Sequence, residues 1–355
     1  MISQNALHHA EKCRFCWMCR HLCPVQHQTG KEINTPRAKG LLLSMVNKKA
    51  QSFDRDMAQA MYECLLCDAC TNDCATGYQP PLFIREARTE AVVSELAPEA
   101  VMSLIDNALT TGNIYGVEKP SFGQDGTDVL VYIGEVAAVK VPEMAKNLLA
   151  VLKKAGVSAK VLAQEPASGV MLGDLMGYTE EVRQQAAACA EAINAAGLPV
   201  VVLDSYDAEI MKQKYPEWGC EIHADVTTAT AYVAGLIGDG KLEAKACSGM
   251  KGACHDDDRL ARTFHEFAPV RAMAKAAGYE VGEMFNREKL AKSCGTAAAL
   301  AYMPELTKKI AGGRWEDLVR TGCRAMLTAN PQVYLCLNLC VPEGHQLVDL
   351  FGALL

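Results

Sequence analysis

The sequence predicts an α+β multidomain protein: an all-helical N-terminal unit followed by two α/β units of similar size. Three observations carry that prediction. Eight of the sixteen cysteines fall in two runs before residue 75, with a helix-like stretch between them. Residues 123–128 form a turn-rich joint at which the texture of the chain changes. Beyond it short apolar runs alternate with amphipathic helical segments, the pattern of parallel sheets, and a second break near 238–242 divides that region in two.

The first unit, residues 1–118, is defined by its cysteines. Cys13, Cys16, Cys19 and Cys23 are followed by Cys64, Cys67, Cys70 and Cys74, each 51 residues after its counterpart, so the runs are an internal duplication. Both read Cys-x2-Cys-x2-Cys-x3-Cys, and Pro24 follows the first. This is the bacterial ferredoxin spacing and predicts two 4Fe-4S clusters. Three thiolates of a cluster come from one run and the fourth from the other in two-cluster ferredoxins. The expected sets are therefore Cys13, Cys16, Cys19 and Cys74 for one cluster, and Cys64, Cys67, Cys70 and Cys23 for the other. A zinc site or a disulfide framework explains the third equally spaced cysteine of each run poorly.

The stretch between the runs reads as a helix opened by Thr35-Pro36, with Leu41, Leu42, Met45 and Val46 at helical spacing. Residues 81–96 read as another helix, its Arg85 and Arg88 expected on a solvated face. Strands are expected at 129–133, 160–163, 200–203, 279–283 and 325–328, and helices at 142–155, 180–196 and 303–310. The two α/β units are placed at 124–238 and 242–345.

Composition narrows the function. A net charge of −7 without a basic stripe argues against nucleic acid. There is no run of apolar residues long enough to span a membrane and no signal-like start, so a cytoplasmic location is expected, where cysteines bind metal or stay free. No glycine-rich phosphate loop appears, which argues against a nucleotide or flavin held by the chain itself.

Beyond residue 123 the chain resembles the cysteine-rich CCG-domain family, found in the B and D subunits of heterodisulfide reductase and the iron-sulfur subunit of glycolate oxidase. The second half carries Cys254-His255, Ser293-Cys294-Gly295 and Asn330-Pro331-Gln332-Val333. Thirty-eight residues separate Cys254 from Ser293 and thirty-five separate Cys294 from Asn330, within the family's spacing. The first half keeps the spacing without thiols, in Gly134-Glu135, Ala167-Ser168-Gly169 and Asp204-Ser205-Tyr206-Asp207. The resemblance thus implies two pseudo-repeated CCG domains with degenerate motifs. Ala, Val and Ser supply no thiolate to iron, so no cluster is expected there.

Two residual groups stand out. Glu135, Asp204 and Asp207 would end strands on one sheet edge and suit a hard cation, although solvated loop acids are the expectation. Cys254, His255 and Cys294 form a remnant site with too few ligands for structural zinc. Cys189, Cys220, Cys247 and Cys323 are expected in the core, as are Cys336 and Cys340 on one helix face.

The resemblance implies an electron-transfer subunit of an oxidoreductase complex, with no catalytic residue of its own. Its implied partner is a flavin-binding dehydrogenase acting on a 2-hydroxy acid or similar molecule, with further redox subunits accepting the electrons. The alternatives are a heterodisulfide reductase-like catalytic subunit with a noncubane cluster, and a structural docking subunit.

Overall fold

The computed structural model describes residues 2–355. Before residue 124 the described chain has helices and turns but no strand, its longest helices being Pro36–Asn47, Pro80–Val93 and Glu99–Thr111. Thr35 caps the first of these, its hydroxyl accepting from the Ala38 amide at 3.2 Å. The buried stripe of that helix is Pro36, Lys39, Gly40, Leu43 and Ser44, whereas Leu41 is exposed. The expected stripe is thus rotated, because this helix packs through Gly40, where a Cβ would collide with the Tyr78 hydroxyl.

The two cysteine loops share one backbone shape. Phe15 and Trp17 have positive φ in the first, and Leu66 and Asp68 in the second, again 51 residues apart. In each loop the amide two residues after the leading cysteine donates to its sulfur at 3.4 Å, Phe15 to Cys13 and Leu66 to Cys64. Left-handed backbone costs a non-glycine residue about 1 kcal/mol or more, so four such residues in matching places mark a constrained loop.

Two four-stranded parallel sheets follow. The first contains β1 (Val129–Tyr132), β2 (Ala159–Lys160), β3 (Val200–Val202) and β4 (Val226–Thr228), in the order β2-β1-β3-β4. The second contains β5 (Lys251–Cys254), β6 (Glu280–Gly282), β7 (Ala325–Thr328) and β8 (Gln346–Asp349), in the order β6-β5-β7-β8. Position for position the orders are the same. In each sheet the strand order reverses beside its first strand, between β1 and β3 and between β5 and β7, which in open α/β sheets is where ligands bind.

Strands β4, β5 and β8 were not anticipated. Lys251-Gly252-Ala253-Cys254 has weak strand propensity, yet it is central, and its glycine leaves room for Leu327 of β7. The helix expected at 303–310 runs on as Pro304–Val319 through Gly312-Gly313, where Gly313 admits the Gln28 side chain. Both faces of β1 are buried, Leu130 and Tyr132 against the N-terminal helices, Val129 and Val131 in a core shared with Leu327 and Cys254. The three parts are thereby packed around continuous cores.

Candidate functional site

The second cysteine loop closes over an apolar cavity. Cys64, Cys67 and Cys70 line it together with Cys23 of the first run, among Pro24, Val25, Pro36, Pro80, Pro81 and Ile84. Helix Pro24–Thr29 begins directly after Cys23 and turns that thiol inward; Pro24 at the first helical position suits the start. Burial pushes the Cys23 thiol up to about 11, and burial with the neighbouring thiols pushes Cys70 well above its ordinary value. No three His, Cys, Asp or Glu side chains among the described residues converge on a single ion. The four thiols frame a space instead.

Cations surround that space. Lys39 is buried, and its ammonium donates to the Ala60 carbonyl at 2.7 Å and the Ile33 carbonyl at 3.4 Å, with no carboxylate in bonding reach. Arg88, also buried, donates to the backbone carbonyls of Met61 at 3.1 Å, Cys64 at 2.5 Å and Asp174. From the second sheet region Arg259 donates to Leu66 O at 3.0 Å and Arg262 to Cys67 O at 2.7 Å. Arg259 pairs with Glu209 at 3.0 Å and Arg262 with Asp258 at 2.7 Å, and Glu63 and Asp68 also line the cavity, so Lys39 and Arg88 are the buried cations with no carboxylate in bonding reach, a state that costs several kcal/mol each. Four soft donors beside two buried cations that bond no carboxylate fit an anionic iron-sulfur cube.

The first loop is more open. Cys16 is exposed and Cys13, Cys19 and Cys74 are half-buried. Cys19 is pushed up to about 12 by burial and then by Cys13, Cys23 and Cys16. Cys74 is tied to this loop through Thr76, whose hydroxyl lies 3.3 Å from its sulfur and donates to Lys12 O at 3.2 Å. Burial raises the Cys74 thiol, but hydrogen bonds from the Thr76 hydroxyl and the amides of Thr76, Tyr78 and Gly77 outweigh it, so its net shift is downward.

The acids at the two sheet reversals are not solvated, contrary to expectation. Glu135, Asp204 and Asp207 are buried because the ends of the two sheets face each other. Asp204 accepts from Asn330 at 3.0 Å and Gln332 at 2.9 Å, which occupy the corresponding turn of the other half. Ser168 donates to Asp207, Ser205 to Asp257 at 2.6 Å, and Ser293 and the Tyr206 hydroxyl to Asp258 at 2.6 and 2.9 Å. Burial and the Asp204 charge push Asp207 far up, and burial also raises Asp204. Gly134 has positive φ and a Cβ there would strike the Asp207 carboxyl. Hydrogen bonds fill both reversal points.

Cys254, His255 and Cys294 are not brought together as a set. The Cys254 thiol lies in the core shared by the two sheets, whereas Cys294 packs with Trp315 and Cys336 in a separate core. His255 accepts at Nδ1 from Arg314 at 3.1 Å, and burial followed by the Arg314 and Arg262 charges holds it well below its ordinary value. Cys189, Cys323 and Cys336 are buried, but Cys247 is exposed, because residues 243–250 run along the surface. Arg85 is likewise buried, paired with Asp174 at 2.6 Å, instead of solvated.

Lys39, Arg259 and Arg262 were missed in the sequence. Lys39 had a signal, since it shares the i, i+4 and i+7 face with Pro36, Gly40 and Leu43. Arg262 lies four residues after Asp258, a helical pairing distance, but nothing local ties it to Cys67.

The chain is similar to known iron-sulfur proteins. Residues 9–78 match the family described as a 4Fe-4S dicluster domain. The chain is similar to the EtfAB:quinone oxidoreductase of Syntrophomonas wolfei, 23% identical over 384 positions, covering 91% of this chain and 53% of that protein. It is similar also to a probable membrane-anchored ferredoxin of Chromohalobacter salexigens, 22% identical over 309 positions, covering 81% of this chain and 46% of that one. The chain spans about half the length of these relatives. A hypothetical protein from Helicobacter pylori matches in fold with a TM-score of 0.58 at 12% identity, covering 99% of this chain and 72% of that one. These similarities support 4Fe-4S chemistry and an iron-sulfur electron-transfer role. No helix among the described residues is long and apolar enough to cross a membrane.

Proposed function

We propose that this chain is the relay subunit of an oxidoreductase complex, carrying single electrons through two 4Fe-4S clusters. Cys13, Cys16, Cys19 and Cys74 would hold one, and Cys64, Cys67, Cys70 and Cys23 the other. The observation that carries the reading is the cavity shared by Cys23 with the second run. When bound, the clusters supply one-electron carriers whose potentials depend on hydrogen bonding and exposure. The chain's own residues hold the thiolates in constrained loops, exclude water from the second site and place Lys39, Arg88, Arg259 and Arg262 around it.

The two sheet regions act as degenerate CCG units that hold the relay against its partners. The electron donor is a flavin-binding dehydrogenase of a 2-hydroxy acid or similar small molecule, and a separate acceptor takes the electrons on. The relative named an EtfAB:quinone oxidoreductase supports a place between a donor protein and a further acceptor. A catalytic role like that of heterodisulfide reductase would need a third cluster in the second repeat, where Ser293 now bonds Asp258 and Asn330 bonds Asp204.

Iron analysis of anaerobically purified protein tests the proposal. About eight irons per chain are expected, and about twelve would overturn it in favour of the catalytic reading. Co-purification under the same conditions should bring down a flavin-containing partner; flavin-free partners alone would remove the dehydrogenase assignment.

A further inference from the structure

The face around the first cysteine loop differs from the rest of the molecule. Phe15, Trp17 and Met18 are 50%, 40% and 52% exposed, and they surround the exposed Cys16. Large apolar side chains grouped beside a redox site mark an interaction surface. Their neighbours are basic. Residues 11–37 contain five Lys and Arg (Lys12, Arg14, Arg20, Lys31, Arg37) against two acids (Glu11, Glu32), a local balance of +3 in a chain of net −7.

The aromatic group is set in place. The Arg37 guanidinium lies over the Trp17 ring at 3.6 Å and near Phe15 at 5.3 Å, while its Nε bonds Glu32 at 2.6 Å. Arg20 lies 5.5 Å from the same Trp17 ring. Trp17 itself holds a left-handed backbone, which turns its side chain outward at a cost. The second cysteine loop has the opposite character. Its Cys67 and Cys70 are buried, its carbonyls take hydrogen bonds from Arg88, Arg259 and Arg262 of other elements, and Glu63, Asp68 and Asp73 punctuate it.

We propose that the Phe15-Trp17-Met18 face with its rim of Arg14, Arg20 and Arg37 is the docking surface for an acidic one-electron redox protein. It is the port through which electrons pass between that partner and the cluster held by Cys13, Cys16, Cys19 and Cys74. The proposal rests on the relay reading above. Charge complementarity selects the partner, since residues 11–37 are net positive in a chain of net −7. The aromatics supply contact area at the centre and the arginines steer the approach.

The test uses the cluster-loaded full chain and flavodoxin, an acidic one-electron flavoprotein, as the probe. Anionic flavodoxin hydroquinone loses one electron to the oxidised protein, followed by stopped-flow absorbance at rising salt. The rate is expected to fall tenfold or more from low salt to about 0.5 M, although both proteins are net negative. The double variant R14E/R20E, with iron content and cluster spectrum unchanged, is expected to lose tenfold or more at low salt and to speed up as salt rises. A wild-type rate that rises with salt, or a double variant that matches wild type, would overturn the docking assignment while leaving the relay intact. So would concentration-dependent dimers that vanish in the variant, because the face would then bind a second copy. A chain that takes no electron from dithionite removes the relay reading, and the port with it.

Discussion

Replacing Arg262 by Gln isolates the tie between the second sheet region and the second cysteine loop. The guanidinium is buried and makes four contacts: Cys67 O and Asp258 Oδ1, both at 2.7 Å, Lys289 O at 3.2 Å, and Ala291 O. Its removal leaves Asp258 charged and buried with only the Ser293 and Tyr206 hydroxyls as donors. Breaking a buried pair from one side costs about 3–5 kcal/mol, a large share of the roughly 5–15 kcal/mol that holds a domain folded. The second consequence is electrostatic. A unit charge about 8 Å from another contributes about 2 kcal/mol at an effective dielectric of about 20. For one electron that is on the order of 90 mV. The variant should therefore unfold at lower urea, and one cluster of the two should become harder to reduce by tens of millivolts in an EPR-monitored titration. Arg262→Lys, which keeps the charge and loses the fork, should recover most of the potential but less of the stability. Equal shifts in both clusters, or no shift in either, would refute the reasoning that Arg262 acts locally on the buried one.

Three further outcomes follow from the same contacts. Burial pushes Glu135 up to about 7, so its protonated form is the one the fold prefers. Its contribution is full below the unfolded carboxylate range and is lost as pH rises through about 7; Glu135→Gln should flatten that loss and gain on the order of 3 kcal/mol at pH 8 in urea unfolding. Asp204→Ala strips acceptors from Asn330, Gln332 and the Tyr206 amide. It should cost about 2–4 kcal/mol in the same assay with iron content unchanged, and a loss of iron would mean the sheet reversals reach the clusters. Cys254→Ala and Cys294→Ala, alone or together, should leave iron per chain and electron-transfer rate unaltered while costing about 1–2 kcal/mol each in packing.

How legible these features were depended on how local their cause is. The cysteine runs were readable because ligand spacing is a property of a few consecutive residues, and the matching positive φ at Phe15 and Leu66 reflects that same duplication. The alternation of strand and helix was readable for β1, β3 and β7, which are buried throughout and mostly apolar. It failed for β5, where Gly252 is required by a neighbour 75 residues away, Leu327, and for the edge strand β8, half exposed and polar at Gln346. Glu135, Asp204 and Asp207 were read as solvated because nothing in their own turns announces their donors, the Ile114 amide, Asn330 with Gln332, and Ser168. The same holds for Arg85, whose partner Asp174 is 89 residues away. Burial between two halves of a duplicated fold is a long-range property, and a single sequence carries little of it.

The central claim is that Cys23 belongs with the second run and not with its own. Iron counts on paired variants test it most directly. Cys23→Ala combined with Cys67→Ala removes ligands of one cluster only, so about four irons per chain should remain; Cys23→Ala combined with Cys19→Ala strikes both, and almost none should remain. The reverse outcome, loss of both clusters in the first pair and survival of one in the second, would contradict the account.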